Sequence, residues 1–129
     1  PIVASPCDSI TPEMPILDWS NIPREPLNER IVRQAIHTGA LTVGRFHLSQ
    51  GAAVPLHHHE NEQVSMVESG RLRFVLGGQE TVAGPGSVIA IPAHVPHEVE
   101  ALTDCVVVDV FTPPRLDWIR GDDAYLRKS

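Results

Sequence analysis

Apolar residues in this chain fall in short runs rather than at the three-to-four spacing of a helix. Runs rich in Val, Ile, Leu and Phe occupy 31–37, 41–48, 53–58, 63–69, 71–76, 87–91 and 105–111. Several alternate apolar with polar positions, the period of a strand with one face buried. Turn formers separate them: Gly51, Ser69-Gly70, Gly77-Gly78, Gly84-Pro85-Gly86 and Pro92. Many short strands with regular punctuation predict an all-β sandwich or barrel in a single domain. No long segment of 3.6-residue period and no internal repeat competes with that reading. Residues 1–28 are proline-rich and read as an N-terminal arm packing on the barrel, with Ile16-Leu17-Asp18-Trp19 as its packed piece. The barrel itself is expected over 29–120, and the polar tail 121–129 is expected to fray.

Composition narrows the class. The chain has 129 residues, 42% hydrophobic and 20% charged, as in a soluble globular domain. A formal net charge of −6 argues against a nucleic-acid partner. No basic run, leader pattern or long apolar segment points to a membrane. Cys7 and Cys105 have neither metal-type nor redox-type spacing and give no disulfide framework, which fits a reducing compartment. A cytoplasmic location is the expectation.

The chemistry begins at "PLHHHENEQ", residues 55–63. Alternate residues of a strand share a face, so His57 and His59 point one way and His58 the other. Two imidazoles so placed can converge on one cation. Gln63 opens the next apolar run and brings an oxygen donor to the same end of the sheet; parity turns Glu62 away from it. Farther on, "GSVIAIPAHVPHEVEA" supplies His94 and His97 after Pro92. A histidine run can be a polar loop or a tag remnant, but this one is mid-chain and bracketed by glycines. His94, in a proline-rich turn, reads as structural or supporting; His37 and His47 read as ordinary strand residues. Arg45 reaches the interior only if its face of the strand points inward.

The last strand adds a second set. In "CVVVDVFTPPRLDW", Cys105, Val107, Asp109 and Phe111 share one face. Asp109 among valines either faces the cavity, where it needs a partner and could move a proton, or sits on an exposed edge strand or in a structural ion pair. Arg115 follows Pro113-Pro114, a stiff loop that lowers the cost of holding a guanidinium against a carboxylate. The alternative is a surface arginine paired with Asp117 or Glu100. Phe111 is either an apolar wall for a sugar ring or core, and Trp19 and Trp118 read as packing residues.

Gly51, His57, His59, Gln63 and Gly70, at their spacing, resemble the first motif of the cupin superfamily. Gly86, Pro92 and His97 resemble the second. The resemblance implies a double-stranded β-helix (jelly-roll) barrel around one divalent transition metal, with His57, His59, Gln63 and His97 as ligands. The sequence departs from the pattern twice, with Gln63 where glutamate is usual and Ala101 where asparagine often stands. Three imidazoles and an amide leave the ion its full charge, which favours a Lewis acid or anion anchor over a redox centre. Such donors suit Ni, Zn, Mn, Fe or Co.

The D-x-F-x-P-P-R ending, from Asp109 to Arg115, together with the glutamine, is similar to the KdgF-type cupins, the pectin degradation proteins. That similarity implies a metal-dependent enzyme, isomerase- or hydro-lyase-like. Its reaction would open 4,5-unsaturated monouronates from pectin or alginate to linear 4-deoxy-5-keto uronates. Asp109, Arg115 and Phe111 would form the catalytic set around that small-molecule substrate. A metal-dependent cupin dioxygenase and a non-catalytic sugar-acid-binding cupin are the competing classes. The arm and the exposed strand edges of such barrels lead to the expectation of a homodimer.

Overall fold

The computed structural model describes residues 16–128; the expectations for residues 1–15, Cys7 included, lie outside the described residues. After a 3-10 turn at Trp19–Asn21 come ten strands: β1 Glu25–Pro26, β2 Ile31–His37, β3 Thr42–Leu48, β4 Ala53–His57, β5 Glu62–Ser69, β6 Leu72–Leu76, β7 Gln79–Ala83, β8 Val88–Ile91, β9 His97–Ala101 and β10 Cys105–Thr112. Two short helices follow, α1 Leu116–Arg120 and α2 Ala124–Arg127. The strands form a six-stranded sheet, β1-β2-β3-β10-β5-β8, and a four-stranded sheet, β4-β9-β6-β7. Every pairing is antiparallel; the chain adopts the all-β architecture expected from the strand pattern, in the jelly-roll form that the resemblance implies.

Strand parity places the core. On β10, Cys105, Val107, Asp109 and Phe111 are buried, and the intervening residues less so. On β5, Gln63, Ser65 and Val67 face the same interior. Phe46, Leu48, Leu72, Phe74 and Ile91 fill the space between the sheets. Two glycines are required by close approach. A Cβ on Gly70, which has φ +82°, would lie 2.1 Å from the Asp104 carbonyl oxygen. A Cβ on Gly44 would meet the Trp118 ring at 3.1 Å, so the glycine lets α1 seat its indole against the sheet.

Two expectations about the ends need correction. In the arm, Ile16 is 96% exposed, and it is Ile22 and Leu27 that are buried; the Gln34 amide fixes this segment through the carbonyls of Trp19 and Ile22. The tail carries α2 rather than fraying. Asp123 is fully buried and pairs with buried Arg33 at 2.9 Å, and Leu126 joins the core. Arg127 and Glu25 extend the ion pair, and the Asn28 side chain donates to the carbonyls of Leu126 and Lys128. A fixed α2 is what brings Tyr125 to the site below.

Candidate metal centre

Three histidines meet where β4 and β9 pair. His57 stands opposite His97, and Val54 opposite Val99, so β4 has one residue more than its partner between these points. Three residues apart, Val54 and His57 would face opposite ways on a regular strand. The bulge through Pro55 and Leu56 restores both to the interior, where they line one cavity. Strand alternation does not extend to His59, which lies beyond the end of β4. Its place is set by the loop: its carbonyl accepts from the His94 N–H at 2.8 Å, with His94 at φ 67°.

All three rings are oriented alike. Nδ1 of His57 faces the Pro55 carbonyl at 2.8 Å, that of His59 the Asn61 carbonyl at 3.0 Å, and that of His97 the Val95 carbonyl at 2.9 Å. A carbonyl partner fixes the proton on Nδ1 and leaves Nε2 with a lone pair. His97 Nε2 is buried and has no hydrogen-bond partner. The three rings each offer a ligand atom within 4.8 Å of the others. Burial, above all, pushes His57 and His59 down to about 4, and lowers His97 as well, so all three are neutral near neutral pH.

Gln63 enters from the opposite sheet. Its Oε1 lies 3.1 Å from His59 Nε2, while its Nε2 donates to Ser65 Oγ at 3.0 Å. Two acceptor lone pairs thus face each other, an arrangement that repels unless a cation lies between them. Neighbouring ligands on an ion with bond lengths of about 2.1 Å stand roughly 3 Å apart, so this separation fits a shared metal.

Asp109 and Arg115 line the same cavity. Asp109 is 9% exposed, and its Oδ1 has no partner. Burial pushes its carboxyl up to about 6, against the pull of the Ser65 hydroxyl, the Arg115 charge and the Gln63 amide. Arg115 is 2% exposed; Nε and Nη2 donate to the two Asp117 carboxylate oxygens at 2.9 and 2.7 Å. Its N–H donates to Thr42 Oγ1 at 2.9 Å, and Asn61 holds the preceding prolines through their carbonyls. Phe111 lies beneath the guanidinium, 4.7 Å from ring centre to Cζ, and edge-on to His59.

The cupin domain family matches residues 44–111, more than half of the chain. The chain belongs to the cupin family. KdgF from Halomonas sp. superposes on this cupin with a TM-score of 0.76 at 27% identity, over 81% of this chain and 97% of KdgF. An RmlC-like cupin from Shewanella frigidimarina superposes with a TM-score of 0.76 at 25% identity, over 80% of this chain and 94% of its own. An uncharacterized protein from Streptomyces coelicolor is 31% identical over 88 residues, 67% of this chain and 84% of that protein.

The other residues weighed from the sequence lie elsewhere in this cupin. His58, Glu62 and His94 are exposed. Arg45 sits on the outer face of β3, paired with Glu68 at 3.0 Å. His37 bonds Thr42 and His47 bonds Gln34. Arg115 does pair with Asp117, but in a buried setting, and Glu100 pairs with Arg73 instead. Sequence reasoning missed Ser65, Asn61 and Tyr125. Parity with Gln63 on β5 carried a signal for Ser65. Nothing local marked Tyr125, whose ring lies 5.0 Å from that of His57 in the cavity wall. The cavity encloses about 60 Å³, the space of a few water molecules.

Proposed function

We propose that this cupin opens 4,5-unsaturated monouronates to 4-deoxy-5-keto uronates. The reading is supported by the D-x-F-x-P-P-R ending and by the similarity to KdgF. The observation that carries it is the buried Asp109 carboxyl, its Oδ1 free, in a cavity also lined by the Arg115 guanidinium and by His57, His97 and Gln63. His57, His59, His97 and Gln63 would hold the divalent ion. When bound, the ion would supply Lewis-acid stabilisation of negative charge on substrate oxygen.

The chain's own residues account for the proton movements. Arg115 binds the substrate carboxylate through its remaining N–H groups, and Phe111 packs against the apolar face of the ring. Asp109, with a carboxyl near 6, is mostly ionised at neutral pH and takes the proton of the anomeric hydroxyl. The C1–O bond to the ring oxygen breaks, C1 becomes an aldehyde, and the released electron pair forms an enolate across O5, C5 and C4. Asp109 returns the proton to C4, leaving a ketone at C5. One proton has moved from oxygen to carbon, and no electron leaves the substrate, in keeping with a ligand set that has no need to support redox change.

The test follows the ultraviolet absorbance of an unsaturated monouronate. Metal-loaded protein should speed its loss above the spontaneous rate, and a chelator should abolish the difference. Equal rates with and without protein would overturn the proposal.

A further inference from the structure

We propose that Tyr125, on the C-terminal helix, completes a carboxylate clamp with Arg115 and so makes α2 part of substrate recognition. The inference rests on the uronate reading and extends it to a residue outside the family motifs. Arg115 gives Nε and Nη2 to Asp117, and Nη2 also donates to the Tyr125 hydroxyl. Nη1 carries no hydrogen bond among the described residues. A phenol that accepts from a cation keeps its own proton free to donate. Arg115 and Tyr125 therefore each keep a donor in reserve, and both side chains line the same cavity. A carboxylate, with two charged oxygens, matches that pair; a neutral amide offers one uncharged acceptor oxygen and is held more weakly.

The phenol is fixed on every side. Its ring packs against His57, with centroids 5.0 Å apart. Helix α2 is tied down through Asp123 to Arg33 at 2.9 Å and through Arg127 to Glu25 at 2.9 Å. Such restraint lowers the ordering cost of binding and lets a single hydroxyl discriminate.

The experiment is calorimetric titration of the metal-loaded protein with D-glucuronate and with its neutral amide, glucuronamide. It compares the native protein with Tyr125→Phe, which keeps the ring against His57 and removes one oxygen. Tyr125→Phe should bind glucuronate about tenfold more weakly, the loss of one hydrogen bond to a charged group. Its affinity for glucuronamide, whose carbonyl makes only a neutral hydrogen bond, should fall several-fold less. Equal losses for both ligands would make Tyr125 a wall of the cavity and overturn the clamp. So would no loss for glucuronate, or a native protein that binds glucuronate no better than the amide. Because binding is the readout, a protein that failed to open unsaturated uronates would refute the reaction without touching this result.

Discussion

At the scale of single residues, Asp109 combines a stability defect with a chemical use. Its carboxyl titrates at about 6 in the folded protein against an ordinary 3.8, because burial disfavours the charge. The unfolded chain therefore releases this proton first. The stability that goes with the protonated form is complete below about pH 4 and is lost as pH rises through about 6. Asp109→Asn removes that loss. In denaturant titrations of metal-free protein the variant should be the more stable by on the order of 3 kcal/mol at about pH 8, and equal to the native protein near pH 4. Turnover should move the other way, falling about 10²- to 10⁴-fold in Asp109→Asn. On the proposed mechanism, kcat/KM should decline as pH drops through the titration of Asp109, whose carboxyl burial pushes up to about 6 in the metal-free protein. A variant that kept the native rate with a full complement of metal would remove Asp109 from the mechanism. The sequence disclosed this residue because a charge stood on the core-facing parity of a valine strand. It could not disclose Tyr125, whose contact with Arg115 spans ten residues and arises only when α2 folds back.

At the scale of elements, alternation made the structure legible where one face of a strand is buried and the other is not. β3, β5 and β10 show that contrast in the folded protein, β2 loses it at Arg33-Gln34, where both side chains are buried, and all four match the expected segments to within a residue. β7 has four exposed positions before Ala83, so no apolar face marks it. β9 opens on a metal-motif histidine and carries two glutamates, Glu98 and Glu100, and its pairing with β4 and β6 supplies what its sequence lacks. The bulge in β4 shows a further limit: parity named His57 and His59 as a pair, yet a bulge places the first and a loop the second. The tail was misjudged for a different reason. Its polarity reflects a buried ion pair, Asp123 with Arg33, and not solvation. Asp123→Ala would leave Arg33, 3% exposed, with only the half-exposed Glu25 as partner. A loss of about 3 kcal/mol in urea unfolding is expected, the scale of a buried charge stripped of its partner. A change under half a kcal/mol would show that α2 contributes no restraint.

At the scale of the whole molecule, the candidate metal donors belong to both layers of the sandwich. His57 and His97 stand on β4 and β9 of the four-stranded sheet, Gln63 on β5 of the six-stranded one, and His59 in the connection between them. An ion held by all four would tie the sheets together and relieve the facing lone pairs of His59 and Gln63. The net charge of −6 favours a cation at long range and opposes an anion, so attraction for the proposed uronate would have to come from Arg115 and a bound ion at close quarters. The ion should accordingly stabilise the fold by mass action. At a hundredfold excess over its dissociation constant the gain is about 2.7 kcal/mol. For a domain of this length that raises the thermal midpoint by on the order of 10 °C. Chelation should remove the increment, re-addition of the divalent ion should restore it in a concentration-dependent way, and His97→Ala should show neither response. Since burial holds His57 and His59 at about 4 and lowers His97 as well, protons should compete with the ion only below the ordinary histidine range. The increment should persist at neutral pH and disappear as pH falls toward about 4. Were it undiminished in His97→Ala, the stabilising ion would be bound elsewhere on the molecule, and the two sheets would be joined by their apolar core alone.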